Sequence, residues 1–207
     1  ECPLYVRPYS LSYKGEVNRE ELINHIEVHS LIYEAIPYKK EFIERDWGFC
    51  VSEKIKDSLT DELYNVNIQT DYSFGELKVG DLTIPGKSSK TILICTYLDQ
   101  PCQMNAAISG VLAGIEVIRT LMEIKQPKLS YRLLVLPGVC GLAAWLSQNK
   151  NIIPLIIGSV SLRMLARQLP HILQNSLNKN TLFGNIFEKV VKKRDPRTQI
   201  VNSNRIF

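Results

Sequence analysis

The stretch KTILICTYLDQPCQMNAAISG (residues 90–110) decides the fold. Its first half holds a run of apolar residues as long as a β-strand, and its second half opens a helical pattern. An uninterrupted apolar run predicts a strand buried on both faces, as in the centre of an α/β sheet. The loop that joins such a strand to the next helix is where α/β proteins usually bind their ligands. The stretch therefore predicts both the fold class and the place of a candidate site.

The residues after this stretch continue the same alternation. A helical pattern, AAISGVLAGIEVIRTLMEIK (106–125), is followed by the strand-like SYRLLVLPG (130–138) and a second helical pattern, VCGLAAWLSQNK (139–150). A third strand, IIPLIIGSVSL (152–162), and an amphipathic helix, NTLFGNIFEKVVKKRD (180–195), come next. Strands that alternate with helices predict a layered α/β domain with a mainly parallel sheet. We assign residues 88–207 to this domain.

The N-terminal residues, 1–87, have a different character. NREELINHIEVHSLI (18–32) predicts a helix with Asn18 as its N-cap, and YNVNIQTDYSFGELKVGDLTIPG (64–86) predicts two or three antiparallel strands. This part therefore reads as a small β-rich domain with one helix. His25 and His29 stand four residues apart, a spacing that would place both on one helix face. With no acidic third ligand beside them, we expect no metal there.

Composition excludes several classes of protein. The chain is 45% hydrophobic and 22% charged, which is typical of globular domains. Much of its net charge of +4 lies in residues 189–197, which we interpret as a solvated helix end, and the evenly mixed charges elsewhere argue against a dedicated nucleic-acid surface. Five cysteines without regular spacing predict neither a disulfide framework nor a zinc cluster. No signal peptide or membrane span is visible, so we expect a cytoplasmic protein that contacts neither membrane nor nucleic acid.

Five segments, in this order, resemble the bacterial aminopeptidase-like domain family of the zinc-peptidase superfamily. They are GEVNREELINHI, AIPYKKEFIERDWGFCVS, GELKVGDLTIPG, TILICTYLDQPCQMNAAISG and RLLVLPGVCGLAAWL. The resemblance runs from about Leu4 to about Ile200. The genes of this family are often found near those of polysaccharide biosynthesis.

The resemblance implies a phosphorylase/hydrolase-like α/β core with co-catalytic zinc and a smaller inserted β-rich domain. Residues 1–87 would then be most of the insert, and residues 88–207 part of the core. The rest of the core would lie before Glu1 and after Phe207. On this basis we expect the chain to be a fragment or a decayed reading frame.

The family's metal site allows a comparison residue by residue. Its first motif resembles Thr-His-x-Cys-His-Pro and its second Asn-Asp-Asn-x-Ser-Gly, where the first His and the Asp bind metal. Five positions of this chain match the motifs: Thr96, Pro101, Asn105, Ser109 and Gly110. The positions of the two histidines, of the Asp and of a further Asp ligand hold residues that are poor ligands or none: Tyr97, Gln100, Ala106 and Arg167.

The catalytic position departs in the same way. The family often has a Glu after the Pro that ends the second strand, whereas this chain has Gly138 and Val139 after Pro137. A tyrosine binds zinc poorly at neutral pH because its phenol has a pKa of about 10. An alanine cannot bind it at all. We therefore expect no zinc and no other cofactor, and a protein without hydrolytic activity.

Two further features could restore a catalytic site. Asp99 could bind one metal ion together with Cys102 or His171, but a lone Asp in a polar loop usually serves a turn or a cap. Cys102 or Cys140 could act as a nucleophile, but a thiol needs a nearby histidine, and His171 has no evident orienting partner.

Three functional hypotheses remain. The first is a non-catalytic aminopeptidase-like domain that binds a peptide-like or small-molecule ligand through Tyr97, Asp99 and Asn105. The second is a zinc-dependent aminopeptidase or amidohydrolase acting on peptide-like or amino-sugar substrates, with ligands located elsewhere. The third is a protein-interaction module with an aromatic surface on the N-terminal domain, formed by Tyr9, Tyr13, Trp47 and Phe49.

Overall fold

The computed structural model describes residues 4–38, 45–99, 104–166, 170–178 and 181–202. The chain divides into two compact units, Glu1–Gly75 and Glu76–Phe207. Each unit has its own sheets and its own buried clusters. The protein is a mixed α/β chain with several sheets.

The described residues form five α-helices, one short 3-10 helix (Ile153–Leu155) and eleven strands. The helices are α1 (Arg19–Asn24), α2 (Glu53–Asp57), α3 (Ile108–Met122), α4 (Gly138–Gln148) and α5 (Leu182–Arg194). The strands are β1 (Leu4–Val6), β2 (Tyr13–Asn18), β3 (Ile26–Glu27), β4 (Phe49–Val51), β5 (Leu63–Ile68), β6 (Gly80–Ile84), β7 (Thr91–Tyr97), β8 (Ser130–Leu136), β9 (Ile156–Leu162), β10 (Ile172–Asn175) and β11 (Gln199–Asn202).

The first unit contains two small sheets. Strand β4 lies between β1 and β3, and β2 pairs with β5 along six residues of antiparallel register. Its core forms around Trp47, whose indole ring stacks on Tyr13 at 4.3 Å and on His25 at 3.7 Å between ring centroids. The Trp47 ring thus contacts both Tyr13, the first residue of β2, and His25, the residue that follows α1.

Helix α1 is shorter than the sequence pattern predicts. Asn18 caps it as expected, accepting a hydrogen bond from the Glu21 backbone N–H at 2.8 Å. The helix ends at Asn24, because His25 turns onto Trp47 and the next two residues pair with β4. The prediction of one helix over residues 18–32 is therefore wrong beyond Asn24. His25 and His29 do not share a helix face.

A four-stranded sheet in the order β6-β8-β7-β9 forms the centre of the second unit. Strands β8, β7 and β9 are parallel to one another, and β6 runs antiparallel along β8. The sheet is thus mixed: the three strands predicted from the alternating pattern are parallel and β6 adds an antiparallel edge, so the prediction of a mainly parallel sheet is met only in part. The sequence pattern could not reveal this, because β6 comes from the alternating segment 64–86 and its partner β8 lies about fifty residues further on. The other strand of that segment, β5, pairs in the first unit.

Helices α3 and α4 pack on opposite faces of this sheet. Alternate residues of β7 point to opposite sides: Leu93 joins a cluster with Trp145 of α4, and Ile94 joins one with Ile118 of α3. The strand β7 is buried along Thr91–Thr96, as its apolar run predicts. The central position of this strand places its carboxyl end between those of β8 and β9.

A charged contact ties the antiparallel strand to α4. Arg132 of β8 donates two hydrogen bonds to Asp81 of β6, at 2.7 and 2.8 Å, and Trp145 Nε1 donates a third at 2.8 Å. The Arg132 guanidinium also lies 4.9 Å from the centroid of the Trp145 ring. Because a bidentate arginine–carboxylate pair is strong and directional, it fixes β6 against its neighbours.

The last elements form a parallel pair, β10 and β11, connected by α5. The Thr181 hydroxyl caps α5 by accepting from the Gly184 N–H at 3.1 Å, and Phe183 packs over Gly158 of β9. In the part of the chain that the structure describes, no helix is both long and apolar enough to cross a membrane.

Candidate functional site

The candidate site lies where the parallel strands β8, β7 and β9 end. Tyr97, the last residue of β7, packs partly buried against the cluster that contains Trp145. Arg163 follows β9 and its guanidinium lies 5.2 Å from the centroid of the Tyr97 ring. An arginine over a tyrosine ring makes a favourable cation–π contact. At the position where the family motif has a metal-binding histidine, this chain therefore has a tyrosine whose ring contacts the protein's own Arg163.

The residues that match the family motifs hold the loops together. Asn105 Oδ1 accepts a hydrogen bond from the Ala166 N–H at 2.9 Å. The Ser109 hydroxyl donates to the Asn105 carbonyl and accepts from the Leu165 N–H at 3.0 Å. These bonds join the start of α3 to the segment after β9. Their role is structural and requires no ligand.

Gly110 is required by a close approach of two backbones. A Cβ atom at this position would collide with the Leu162 carbonyl at the end of β9. Only glycine lets α3 begin so near the strand. At the same corner, Met164 has a positive φ of 53°, a conformation that costs a residue with a side chain about 1 kcal/mol. The hydrogen bonds of the adjacent Leu165 and Ala166 hold this strained corner in place.

Asp99 lies at the beginning of α4. A Cβ atom on Gly138 would be 2.8 Å from Asp99 Oδ2, so the absence of a side chain at 138 is what admits the carboxylate. The N-cap residue of α4 is Pro137, which offers no side-chain hydrogen bond to the helix. The positive end of the helix dipole favours a carboxylate at this place. Asp99 thus supplies a negative charge that the helix's own sequence lacks.

The other predicted positions have simpler outcomes. Ala106, half-buried before α3, presents only a methyl group. Gln100, Arg167, Pro101 and Cys102 lie outside the described residues, and for Val139 the description is limited to its backbone in α4. The structure brings Tyr97 into contact with Arg163, joins Asn105 and Ser109 to the segment after β9, and places Asp99 beside Gly138.

A pair of zinc ions does not fit the donor atoms that the structure describes here. No group of three or more His, Cys, Asp or Glu residues is close enough to hold a metal ion in the described parts of the chain. The Tyr97 ring packs against the Trp145 cluster and contacts Arg163, and the Ala106 side chain has no atom that can bind a metal ion. A permanently charged guanidinium beside the ligand position opposes binding of a divalent cation.

The thiols offer no activated nucleophile among the described residues. Burial raises the pKa of the Cys95 thiol to about 11 from its usual 9.0, so it stays protonated at neutral pH. Cys140 is exposed in the first turn of α4. His171 is exposed before β10, where its carbonyl accepts from the Gln199 N–H at 3.0 Å.

The histidines and aromatic residues of the first unit have structural contacts. His25 Nδ1 lies 3.0 Å from both the Trp47 carbonyl and Asp46 Oδ2, and His29 Nδ1 accepts from two backbone N–H groups at 3.1 Å. Trp47 is only 7% exposed, and Tyr13 is stacked on it. The prediction of an aromatic surface is therefore wrong for Trp47, because that residue forms the core.

Two concavities lie at opposite edges of the central sheet. One, of about 300 Å³, lies at the carboxyl edge of the parallel strands; it is lined by Lys78, Gly80, Leu98, Val135, Leu136 and Pro137. The other, of about 730 Å³, is larger but lies at the amino edge, far from the candidate residues; it is lined by Pro85, Gly86, Ile124, Lys125 and Gln126. The smaller one is next to the candidate site.

The sequence did not reveal the contributions of Lys78 and Arg163. Lys78 reaches this edge only because β6 runs antiparallel, which places its start beside the ends of the other strands. Arg163 directly follows β9, so its position after a buried strand was the one signal that pointed to it.

Comparison with known proteins shows which proteins this chain is similar to. A Clostridium acetobutylicum protein named for polysaccharide biosynthesis and for an aminopeptidase-like domain is 30% identical over 151 residues, which are 73% of this chain and 35% of that protein. A crystal structure from Clostridium acetobutylicum, of a protein that is by name a peptidase, superposes with a TM-score of 0.81 at 25% identity. It covers 95% of this chain and 46% of the crystallised one.

These likenesses confirm the aminopeptidase-like kind that the five segments indicated. The chain spans about a third of the curated relative and less than half of the crystallised protein. A model of the family described as "Domain of unknown function (DUF4910)" matches residues 16–205, almost the whole sequence. The chain belongs to this family.

Proposed function

We propose that this chain is an aminopeptidase-like domain that binds a ligand at the carboxyl edge of its central sheet and does not hydrolyse it. One observation supports this above the others: the Tyr97 ring, at a position expected to bind metal, is covered by the Arg163 guanidinium. A two-metal hydrolase needs a positive charge that polarises the scissile carbonyl and activates water. A guanidinium supplies a charge but cannot bind and ionise a water molecule.

The retained residues support the same proposal. Asn105, Ser109 and Gly110 keep the loops in place through backbone contacts. Such contacts preserve the shape of the edge whether or not a metal is bound. We infer that the chain has kept the frame of the ancestral site and lost its donor atoms.

At a finer level, we propose that the second unit corresponds to part of a layered phosphorylase/hydrolase-like core. The packing of α3 and α4 on opposite faces supports this. The β-rich first unit then corresponds to the inserted domain. Membership of the zinc-peptidase superfamily, location in the cytoplasm and the fragment hypothesis remain predictions.

Hydrolysis of aminoacyl reporter substrates tests this proposal. The chain is assayed with a panel of aminoacyl-4-nitroanilides and with N-acetylated amino sugars, each with added zinc, cobalt or manganese. We expect no turnover above the buffer blank. Metal-dependent turnover that chelation abolishes would overturn the proposal and favour the zinc-dependent aminopeptidase or amidohydrolase.

A further inference from the structure

The concavity at the carboxyl edge has a composition that selects one kind of ligand. Its wall is apolar, formed by Leu98, Val135 and Pro137 with the bare backbone of Gly80. Its volume of about 300 Å³ is at the small end of ligand pockets. Among the lining residues that the structure describes, Lys78 is the one with a charged side chain. The ligand that fits has a small apolar body and one anionic group.

The charge of Lys78 is available to such a ligand. Among the residues that the structure describes, no carboxylate forms an ion pair with it. Asp81, in the strand that follows Lys78, is bound by Arg132 and Trp145. Asp99, which follows the lining residue Leu98, has its carboxylate against Gly138 at the positive end of α4. These two carboxylates are thus directed to other groups.

The pairing of β6 with β8 explains why Gly80 lies at the cavity. Gly80, the first residue of β6, pairs with Val135, and Lys78 lies two residues before it and also lines the cavity. Val79, between them, packs against the Trp145 cluster. A Cβ atom on Gly80 would lie 3.3 Å from that of Val135, so the absence of a side chain at Gly80 leaves this part of the cavity open.

We propose that this cavity binds small monocarboxylates with a branched apolar chain, and that Lys78 holds their carboxylate. The inference rests on the proposed function, because it names the ligand class of the same edge. It assigns a recognition role to Lys78, which lies in one of the segments that resemble the family but outside its two metal-site motifs.

The probe is 4-methylpentanoate, followed by amide chemical shifts of the ¹⁵N-labelled full chain. We expect saturable shifts at Gly80, Leu98 and Val135, with a Kd in the millimolar range. The neutral isostere 4-methylpentanamide and the cation 3-methylbutylamine should bind at least about fivefold more weakly. This is the affinity that the loss of one partly exposed ion pair is expected to cost. Lys78→Gln should lower carboxylate affinity to that of the amide, and Lys78→Arg should retain it.

Lys125→Gln is the matched control, because Lys125 lines the concavity at the opposite edge. Its shifts and affinity should equal those of the wild type. Equal binding of the acid and the amide, an unchanged affinity of Lys78→Gln, or shifts confined to Gly86 and Lys125 would each overturn the inference. None of these results requires turnover. Metal-dependent hydrolysis would instead overturn the proposed function, whether or not 4-methylpentanoate binds.

Discussion

At the residue scale, the positions that the family motifs mark have contacts within the protein itself. The positions that differ from the family motifs have found new neighbours: Tyr97 lies under Arg163, and Gly138 admits Asp99 to the end of α4. The positions that match them, Asn105 and Ser109, hold backbone groups of the loop after β9. Selection for folding alone is sufficient to explain these matching residues.

Ser109→Ala tests this structural role. The substitution leaves the Leu165 N–H without its acceptor beside the strained Met164, and we expect the free energy of unfolding to fall by about 1–2 kcal/mol. Ser147→Ala is the control, because Ser147 bonds only to Ala144 within α4 and is exposed. Urea denaturation followed by circular dichroism measures both. Equal losses for the two variants would contradict the assigned role.

Cys95 provides a second test at this scale. Its thiol has a pKa of about 11 in the folded protein because it is buried, whereas an unfolded thiol ionises near 9.0. Stability should therefore be unaffected by this group below pH 9 and should fall as the pH rises from 9 to 11.

The same difference predicts selective labelling. At pH 8, iodoacetamide should modify the exposed Cys140 well before Cys95, as measured by peptide mass spectrometry. Addition of urea should abolish the difference. Rapid labelling of Cys95 in the native protein would show that its burial is wrong.

At the scale of elements, the charged contact between β6 and α4 decides the shape of the carboxyl edge. Asp81 accepts three hydrogen bonds, from Arg132 and Trp145, and so fixes the strand that begins at Gly80, two residues after Lys78. Without it, β6 would be held by its backbone pairing with β8 and by apolar packing alone.

Asp81→Ala should therefore destabilise the second unit by about 2 kcal/mol, since it leaves a half-buried guanidinium and an indole N–H without acceptors. Glu116→Ala, which removes a carboxylate from an exposed pair with Arg119, should change stability by less than about 0.5 kcal/mol. Denaturation followed by tryptophan fluorescence and circular dichroism compares the two. A similar small effect for both would show that Asp81 has no special role.

Most elements of the second unit were predictable from their own residues. The buried strands β7 and β8, the helices α3, α4 and α5, and the strand β9 all follow apolar patterns that need no partner to be recognised. The antiparallel direction of β6 and the early end of α1 were not predictable. Both depend on contacts between residues far apart in sequence: Gly80 with Val135, and His25 with Trp47.

The candidate site was likewise predictable from the sequence only in part. Motif comparison located Tyr97, Asn105 and Ser109 because they follow a strand that the sequence makes obvious. It could not locate Lys78, which reaches the edge only through the long-range pairing of β6, or the contact of Asp99 with Gly138.

At the scale of the whole molecule, the protein has an aminopeptidase-like fold, and the described residues at the carboxyl edge of its central sheet include few metal-binding groups. The chain covers 46% of the crystallised protein that it superposes on, so the activity of longer relatives is not transferred to it. Zinc content is the property that separates a binding domain from a hydrolase.

The most direct test is the stoichiometry of zinc after incubation with excess zinc and dialysis, measured by inductively coupled plasma mass spectrometry. The double variant Tyr97→His/Ala106→Asp, which returns two donor residues to the frame, is measured beside the wild type. The account predicts well under one zinc ion per wild-type chain and an increase for the variant. One or two zinc ions bound stably to the wild-type chain would contradict it.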